Sequence, residues 1–214
     1  TITEVLIDSF PLHEAIVESK YGFDLIPATI ALSEAEMELI MRISRESVLF
    51  NAINDSKDQL SKYDYIFIDC PPSLGLLTIN ALVAADSCLV PIAVSKFSLE
   101  GVKLLLKTIT NVRQVNKRLK INRFVITMAD YRTNTTKEFI ESLPSVLQYP
   151  VAKTVIKKLN AISEAQFYDK PIGAHEPKGE AAQLFIDLAQ ELISSDEDSE
   201  IPNLKPEAIA HVQE

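Results

Sequence analysis

An apolar run that ends in an acid and two prolines, Tyr65-Ile66-Phe67-Ile68-Asp69-Cys70-Pro71-Pro72, is where residue types and order first point to chemistry. Residues 65–69 read as a β-strand, and strands of open α/β sheets present ligand-binding groups at their carboxyl ends. A carboxylate there can hold magnesium, usually through water, beside the terminal phosphates of a nucleotide. Pro71 and Pro72 fix the backbone as it leaves the strand and keep the next helix from starting early. A plainer use is equally open, because many strand-to-helix turns carry an aspartate only to cap the following helix.

The elements that must position Asp69 follow from the hydrophobic pattern. Strand-like apolar runs at 23–27, 65–69, 87–94, 123–128 and 151–156 alternate with helical patterns, which predicts parallel strands joined by crossover helices. Several runs are apolar on both faces, as expected when helices cover both sides of a sheet, so the fold class is a three-layer α/β/α sandwich. Ser33 and Glu36 have capping-box spacing and predict a helix start, with Leu39, Ile40, Ile43 and Leu49 on its apolar face and Glu38, Arg42 and Glu46 opposite. Thr135 and Glu138 repeat that spacing before a segment ending near Pro144, and Ser98 can cap a helix carrying Leu104, Leu105 and Ile109. The last helix is expected over 179–193. One domain over 1–194 is then followed by an acidic, proline-containing tail, 195–214, expected to be mobile.

Composition narrows the function classes. The chain has 214 residues, 47% of them hydrophobic, enough for one substantial core, and its net charge of -9 excludes a uniformly basic nucleic-acid-binding surface. A local basic patch remains open. Residues 101–129 contain no Asp or Glu, yet carry Lys103, Lys107, Arg113, Lys117, Arg118, Lys120 and Arg123. Together with Lys157, Lys158 and Arg132 these can neutralise phosphates of non-specific DNA; the alternative is a solvated face paired with acids elsewhere. Cys70 and Cys88 lack metal-ligand spacing and read as buried, reduced thiols of a cytoplasmic protein. No apolar run approaches the ~20 residues of a membrane span.

The run at 63–86, YDYIFIDCPPSLGLLTINALVAAD, is followed by SKFSLEG at 95–101, TMADYRTN at 127–134 and ISEAQFYDKPI at 162–172. In words, order and spacing these blocks resemble the ParA/Soj family of deviant P-loop ATPases, which segregate bacterial chromosomes and plasmids. The upstream FDLIPATIALSEAEMEL at 23–39 is similar to a family segment as well, so the resemblance covers nearly all of 1–193. It implies a MinD/ParA-like P-loop NTPase fold, with ATP and Mg2+ as cofactors. Asp69 would then be the catalytic-site carboxylate beside the metal. Pro71, Pro72, Ser73, Leu74 and Gly75 match the switch that senses the terminal phosphate. The SKFSLEG block resembles one that packs near the nucleotide and the dimer face.

Two departures matter. The Gly-x-x-x-x-Gly-Lys-Ser/Thr loop of the family is not found among the five glycines, Gly22, Gly75, Gly101, Gly173 and Gly179. With it go the first βαβ segment, the amides around the phosphates, the charge-neutralising lysine and a hydroxyl ligand of magnesium. The expectation is that Thr1 is an internal residue of a longer protein or that a partner chain fills the gap. In the second departure, a Pro-Arg-Asn run that contacts adenine in relatives is replaced by Lys157-Lys158-Leu159-Asn160, leaving Lys157 and Asn160 as the nucleotide-facing positions by the same resemblance.

The family's activity is a nucleotide-switched homodimer that binds nucleoid DNA and is stimulated by a ParB-like partner. Membrane association is not expected, because Asp196, Glu197, Asp198 and Glu200 would be repelled by an anionic bilayer. Residues 1–214 are expected not to hydrolyse ATP by themselves. The alternative is a non-catalytic ParA-like module that binds DNA or a protein.

Overall fold

Leucine spacing builds the first of two units. Helix α1 (Ile2–Ile7) buries Val5 and Leu6. The next helix, α2 (Leu32–Ile40), buries Ala35 and Leu39, and α3 (Val48–Asp55) buries Leu49. Val5, Leu6, Leu39 and Leu49 form one core cluster with Leu12, Ala15 and Leu60, the last residue coming from the single turn α4 (Lys57–Leu60). A two-residue antiparallel hairpin, β1 (Val17–Glu18) with β2 (Asp24–Leu25), and helix α5 (Leu76–Ala84) complete the unit. The computed structural model describes residues 1–95 and 98–197. It divides into Thr1–Ser87 with Lys107–Leu119, and Cys88–Leu106 with the described part of Lys120–Glu214.

The second unit is built around β3 (Ser87–Ala93) and β4 (Lys120–Thr127), which pair with each other. Residues 150–157 run parallel to β4, with Phe124 N–H donating to Pro150 C=O at 2.8 Å and Ala152 N–H to Phe124 C=O at 2.7 Å. Phe124, Val125 and Ile126 are consecutive and all at most 2% exposed, so β4 is covered on both faces. Helices α7 (Asn134–Leu147), α8 (Asn160–Phe167), α9 (Ile172–His175) and α10 (Glu180–Glu197) belong to this unit, and α6 (Ser98–Val112) runs from it into the first. The elements are those of an α/β fold, helices packed with a sheet to which residues 150–157 add in parallel.

Several expectations are corrected. Residues 65–69 form no ladder, and Tyr65, Ile66 and Phe67 are 52%, 52% and 84% exposed. A strand is defined by its neighbour's hydrogen bonds, and the described residues supply none there. The 23–27 run contributes only β2. The expected apolar helix face is also broken up: α2 stops at Ile40, Leu49 belongs to α3, and Ile43 between them is 96% exposed. Arg42, expected on a solvent face, donates to the carbonyls of Leu6 and Ile7 and so caps the end of α1.

Thr133, rather than Thr135, caps α7 by accepting from Thr136 N–H at 3.3 Å, and the helix continues past Pro144 to Leu147. The final helix reaches Glu197, beyond the expected end at 193. Cys70 is exposed and Cys88 half-buried; both are free thiols. Residues 198–214 of the expected tail, most of the SKFSLEG core (Lys96 and Phe97) and the Ser98 side chain lie outside what is described. No helix among the described residues is long and apolar enough to cross a membrane.

Candidate functional site

Asp69 closes the extended stretch 65–69 and opens the turn that leads into α5. Its side chain is exposed and makes no hydrogen bond or ion pair among the described residues. Cys70 is exposed as a residue, but protein atoms crowd its sulfur; that desolvation, then the neighbouring Asp69 charge, pushes the thiol above its ordinary range, because both disfavour a thiolate. Pro71, Pro72 and Ser73 are exposed, and the Ser73 carbonyl accepts from the Thr78 hydroxyl at 2.6 Å, tying the turn to the first turn of α5.

Helix α5 begins after Gly75, and two side chains hold its amino end. The carboxylate of Glu36, on α2, accepts from Leu76 N–H at 2.6 Å and Leu77 N–H at 3.4 Å through one oxygen, Oε1. It also lies so close to Gly75 that a Cβ there would collide with that oxygen. The second is Asn80, 1% exposed: its amide donates to Arg45 C=O at 2.8 Å and Leu76 C=O at 3.0 Å, and its oxygen accepts from Leu49 N–H at 3.1 Å. Neither role is visible in the sequence. Spacing predicts a local capping box for Glu36, but Ser33 lies inside α2, where its hydroxyl donates to Ile30 C=O at 2.7 Å.

As a metal site, this arrangement is partial. A single exposed carboxylate is a hard oxygen donor suited to magnesium through water. Among the described residues, however, no group of three or more His, Cys, Asp or Glu side chains is placed to hold a metal. Asp69 fits an ion carried chiefly by phosphates and water; it does not make a protein-held metal centre.

The basic residues divide by what they face. Arg113 Nε donates to Leu119 C=O at 2.7 Å, Arg118 pairs with Asp86 at 3.2 Å, and Arg123 pairs with Glu191 at 2.9 Å. Arg132 grips Asp130 with two guanidinium hydrogen bonds of 2.8 and 2.6 Å; these bonds, with the Arg132 amide, hold the Asp130 carboxyl down to about 2. Lys157 meets Glu180 at 2.5 Å, which raises its pKa, and its ammonium stands 5.7 Å from the Tyr131 ring centre. Lys158 and Asn160 are exposed, the latter as the first residue of α8.

Lys103 and Lys107 share helix α6 as expected, and neither they nor Lys117, Lys120 and Lys158 have an ion pair among the described residues. In the first unit, Lys117 and Arg118 line a groove of about 780 Å³ with Lys57, Ile66 and Asp86; Asp69 does not line it. The structure therefore gathers Asp69, 71–75, Lys107, Arg113 and Lys117 in one unit, and Lys103, Arg132, Lys157, Lys158 and Asn160 in the other.

Comparison with known proteins gives a consistent answer. Residues 1–121 match a family model described as an AAA domain. The chain is 40% identical over 196 residues to the sporulation initiation inhibitor protein Soj of Bacillus subtilis, covering 91% of this chain and 76% of that protein. It is 36% identical over 198 residues to the chromosome partitioning protein ParA of Myxococcus xanthus, covering 92% and 69%. Among solved structures, cobyrinic acid a,c-diamide synthase from Mycobacterium smegmatis, with bound ADP and magnesium, superposes with a TM-score of 0.77 at 29% identity, over 96% of this chain and 76% of that one.

Proposed function

The chain belongs to the ParA/Soj family of P-loop ATPases, and from that premise we propose that it acts in DNA partitioning as a ParA-type, nucleotide-switched protein of the bacterial cytoplasm. The observation that carries this reading is the uncommitted Asp69 carboxylate at the head of the 69–75 turn, where the family's metal-side acid and switch belong. Bound Mg2+ would supply charge neutralisation at the terminal phosphate of ATP, and Asp69 would orient its water shell. The turn would report the state of the phosphate through α5. Lys157 and Asn160 are the residues offered to the nucleotide base, with Lys157 first leaving Glu180.

The same reading assigns a homodimer in the ATP state, a ParB-like stimulating partner and non-specific DNA held on the nucleoid. Lys107 and Lys117, and in the other unit Lys103, Lys120 and Lys158, are the cations for DNA, because none of them is ion-paired among the described residues, Lys158 only feeling the nearby Asp130 charge. Arg132 and Lys157 would have to exchange an acid for a phosphate. Residues 1–214 contain no Gly-x-x-x-x-Gly-Lys-Ser/Thr run.

Magnesium-dependent binding of a fluorescent ATP analogue to the full-length gene product tests the proposal. Asp69→Ala is expected to weaken binding or turnover at least tenfold, and unchanged values for both would overturn it. A second reading, a non-catalytic ParA-like interaction module, is favoured by one observation: Lys157, at an adenine-facing position, is engaged by Glu180. Tight magnesium-dependent ATP binding would exclude it.

A further inference from the structure

Gly75 has an ordinary extended backbone, φ -79° and ψ -169°, which any residue can adopt. Its torsions therefore give no reason for glycine. The reason is spatial, because the Glu36 carboxylate occupies the space a side chain would need. That carboxylate reaches Leu76 and Leu77 from a helix forty residues away in sequence. An acceptor at this point satisfies amides that have no partner inside the helix.

The turn it borders has few soft torsions. Pro71 and Pro72 fix two φ angles, and Thr78 holds the Ser73 carbonyl. Asp69, at the other end, is held by nothing among the described residues. The position of the turn is therefore decided largely where 75–77 are anchored. Asn80 anchors α5 to the 45–49 segment one turn further in, whereas Glu36 reaches the junction itself from another helix.

We propose that Glu36 is a positioning residue for the 69–75 turn: its carboxylate, accepting from the first amides of α5, sets where the turn and Asp69 stand, and couples them to α2. The proposal rests on the reading of this turn as the nucleotide-sensing switch. It extends that reading by naming the residue through which the turn is held and the helix to which its movement is transmitted.

Cys70, exposed within the turn, supplies the readout. In a Cys88→Ala background, the rate of Cys70 alkylation by iodoacetamide and amide exchange at Leu76 and Leu77 are measured for the parent, Glu36→Ala and Glu36→Gln. Glu36→Ala is expected to raise both rates about tenfold, as when a charged hydrogen bond is lost. Glutamine keeps a carbonyl acceptor without the charge, so it should preserve most of the protection. Were the effect only electrostatic on the thiol, glutamine would match alanine instead, and the proposal would fail.

Gly75→Ala provides an independent route if Glu36→Ala does not fold. It displaces the carboxylate with no torsional objection, so it should reproduce the alanine phenotype. It should also add nothing in a Glu36→Ala background, a non-additivity expected only of partners in contact. Equal Cys70 rates in the parent, Glu36→Ala and Gly75→Ala at matched stability would overturn the proposal. A separate arm adds Mg-ATP to the parent in its full-length form. No change at Cys70 there would defeat the nucleotide-switch reading while leaving the hold of Glu36 on the turn to be judged by the variants.

Discussion

Arg123 Nη1 donates to Glu191 Oε1 at 2.9 Å, with the two side chains only 17% and 15% exposed, and joins β4 to α10 across 68 residues. Glu191 also accepts from Lys153 N–H at 2.8 Å and Thr154 N–H at 2.9 Å, so three donors converge on one carboxylate. Burial opposes its ionisation, but these amides and the Arg123 charge outweigh it and hold its pKa below the ordinary value. Glu191→Ala should cost about 3 kcal/mol, because a partly buried guanidinium and two amides lose their acceptor. Urea denaturation of the two proteins at neutral pH measures it.

The same group gives a pH dependence. A carboxylate whose folded pKa is depressed contributes stability that is present above its unfolded pKa and lost as pH falls through the folded value. The parent protein should therefore lose more stability than Glu191→Gln between neutral and acidic pH. Parallel stability curves for the two would contradict this.

Asn80 makes three hydrogen bonds while 1% exposed. Asn80→Ala strands the Leu49 amide and the Arg45 carbonyl and should destabilise the protein by about 2–3 kcal/mol. Faster exchange of the Leu49 amide would locate the damage.

Leu39 and Ile43 lie four apart, the spacing of one helical face, but α2 ends between them. Leu39→Ala should cost about 2–5 kcal/mol from a fully buried site. Ile43→Ala, at 96% exposure, should stay within about 0.5 kcal/mol. Thermal melts of the pair check the difference directly.

If DNA is bound as proposed, Lys117→Ala should lower the log–log slope of affinity against salt by about 1, the effect of one lost phosphate contact. Arg118→Ala should change it less, since Asp86 already holds that guanidinium at 3.2 Å. Titration of duplex DNA at three salt concentrations resolves the two outcomes.

What can be read from the sequence is local and apolar. The Phe124-Val125-Ile126 run reveals a doubly covered strand because burial on both faces removes alternation, and the structure places all three in the core. Polar partners are legible only when near in sequence. Ser33 and Glu36 have capping-box spacing, yet the acid serves a helix forty residues on, and no local periodicity encodes that distance. The basic run likewise looks open because its acids, Glu191 and Asp86, lie outside it. For residues 65–69 the composition is that of a strand, but strand formation depends on neighbouring backbone, a property of the assembly and not of the run.

The crowding of Gly75 by Glu36 also bears on inheritance. Two positions so placed do not drift independently: a methyl group acquired at 75 pushes the acid at 36 off the α5 amides and removes the reason to keep it. A shortened side chain at 36 would in turn release 75 from having to be glycine.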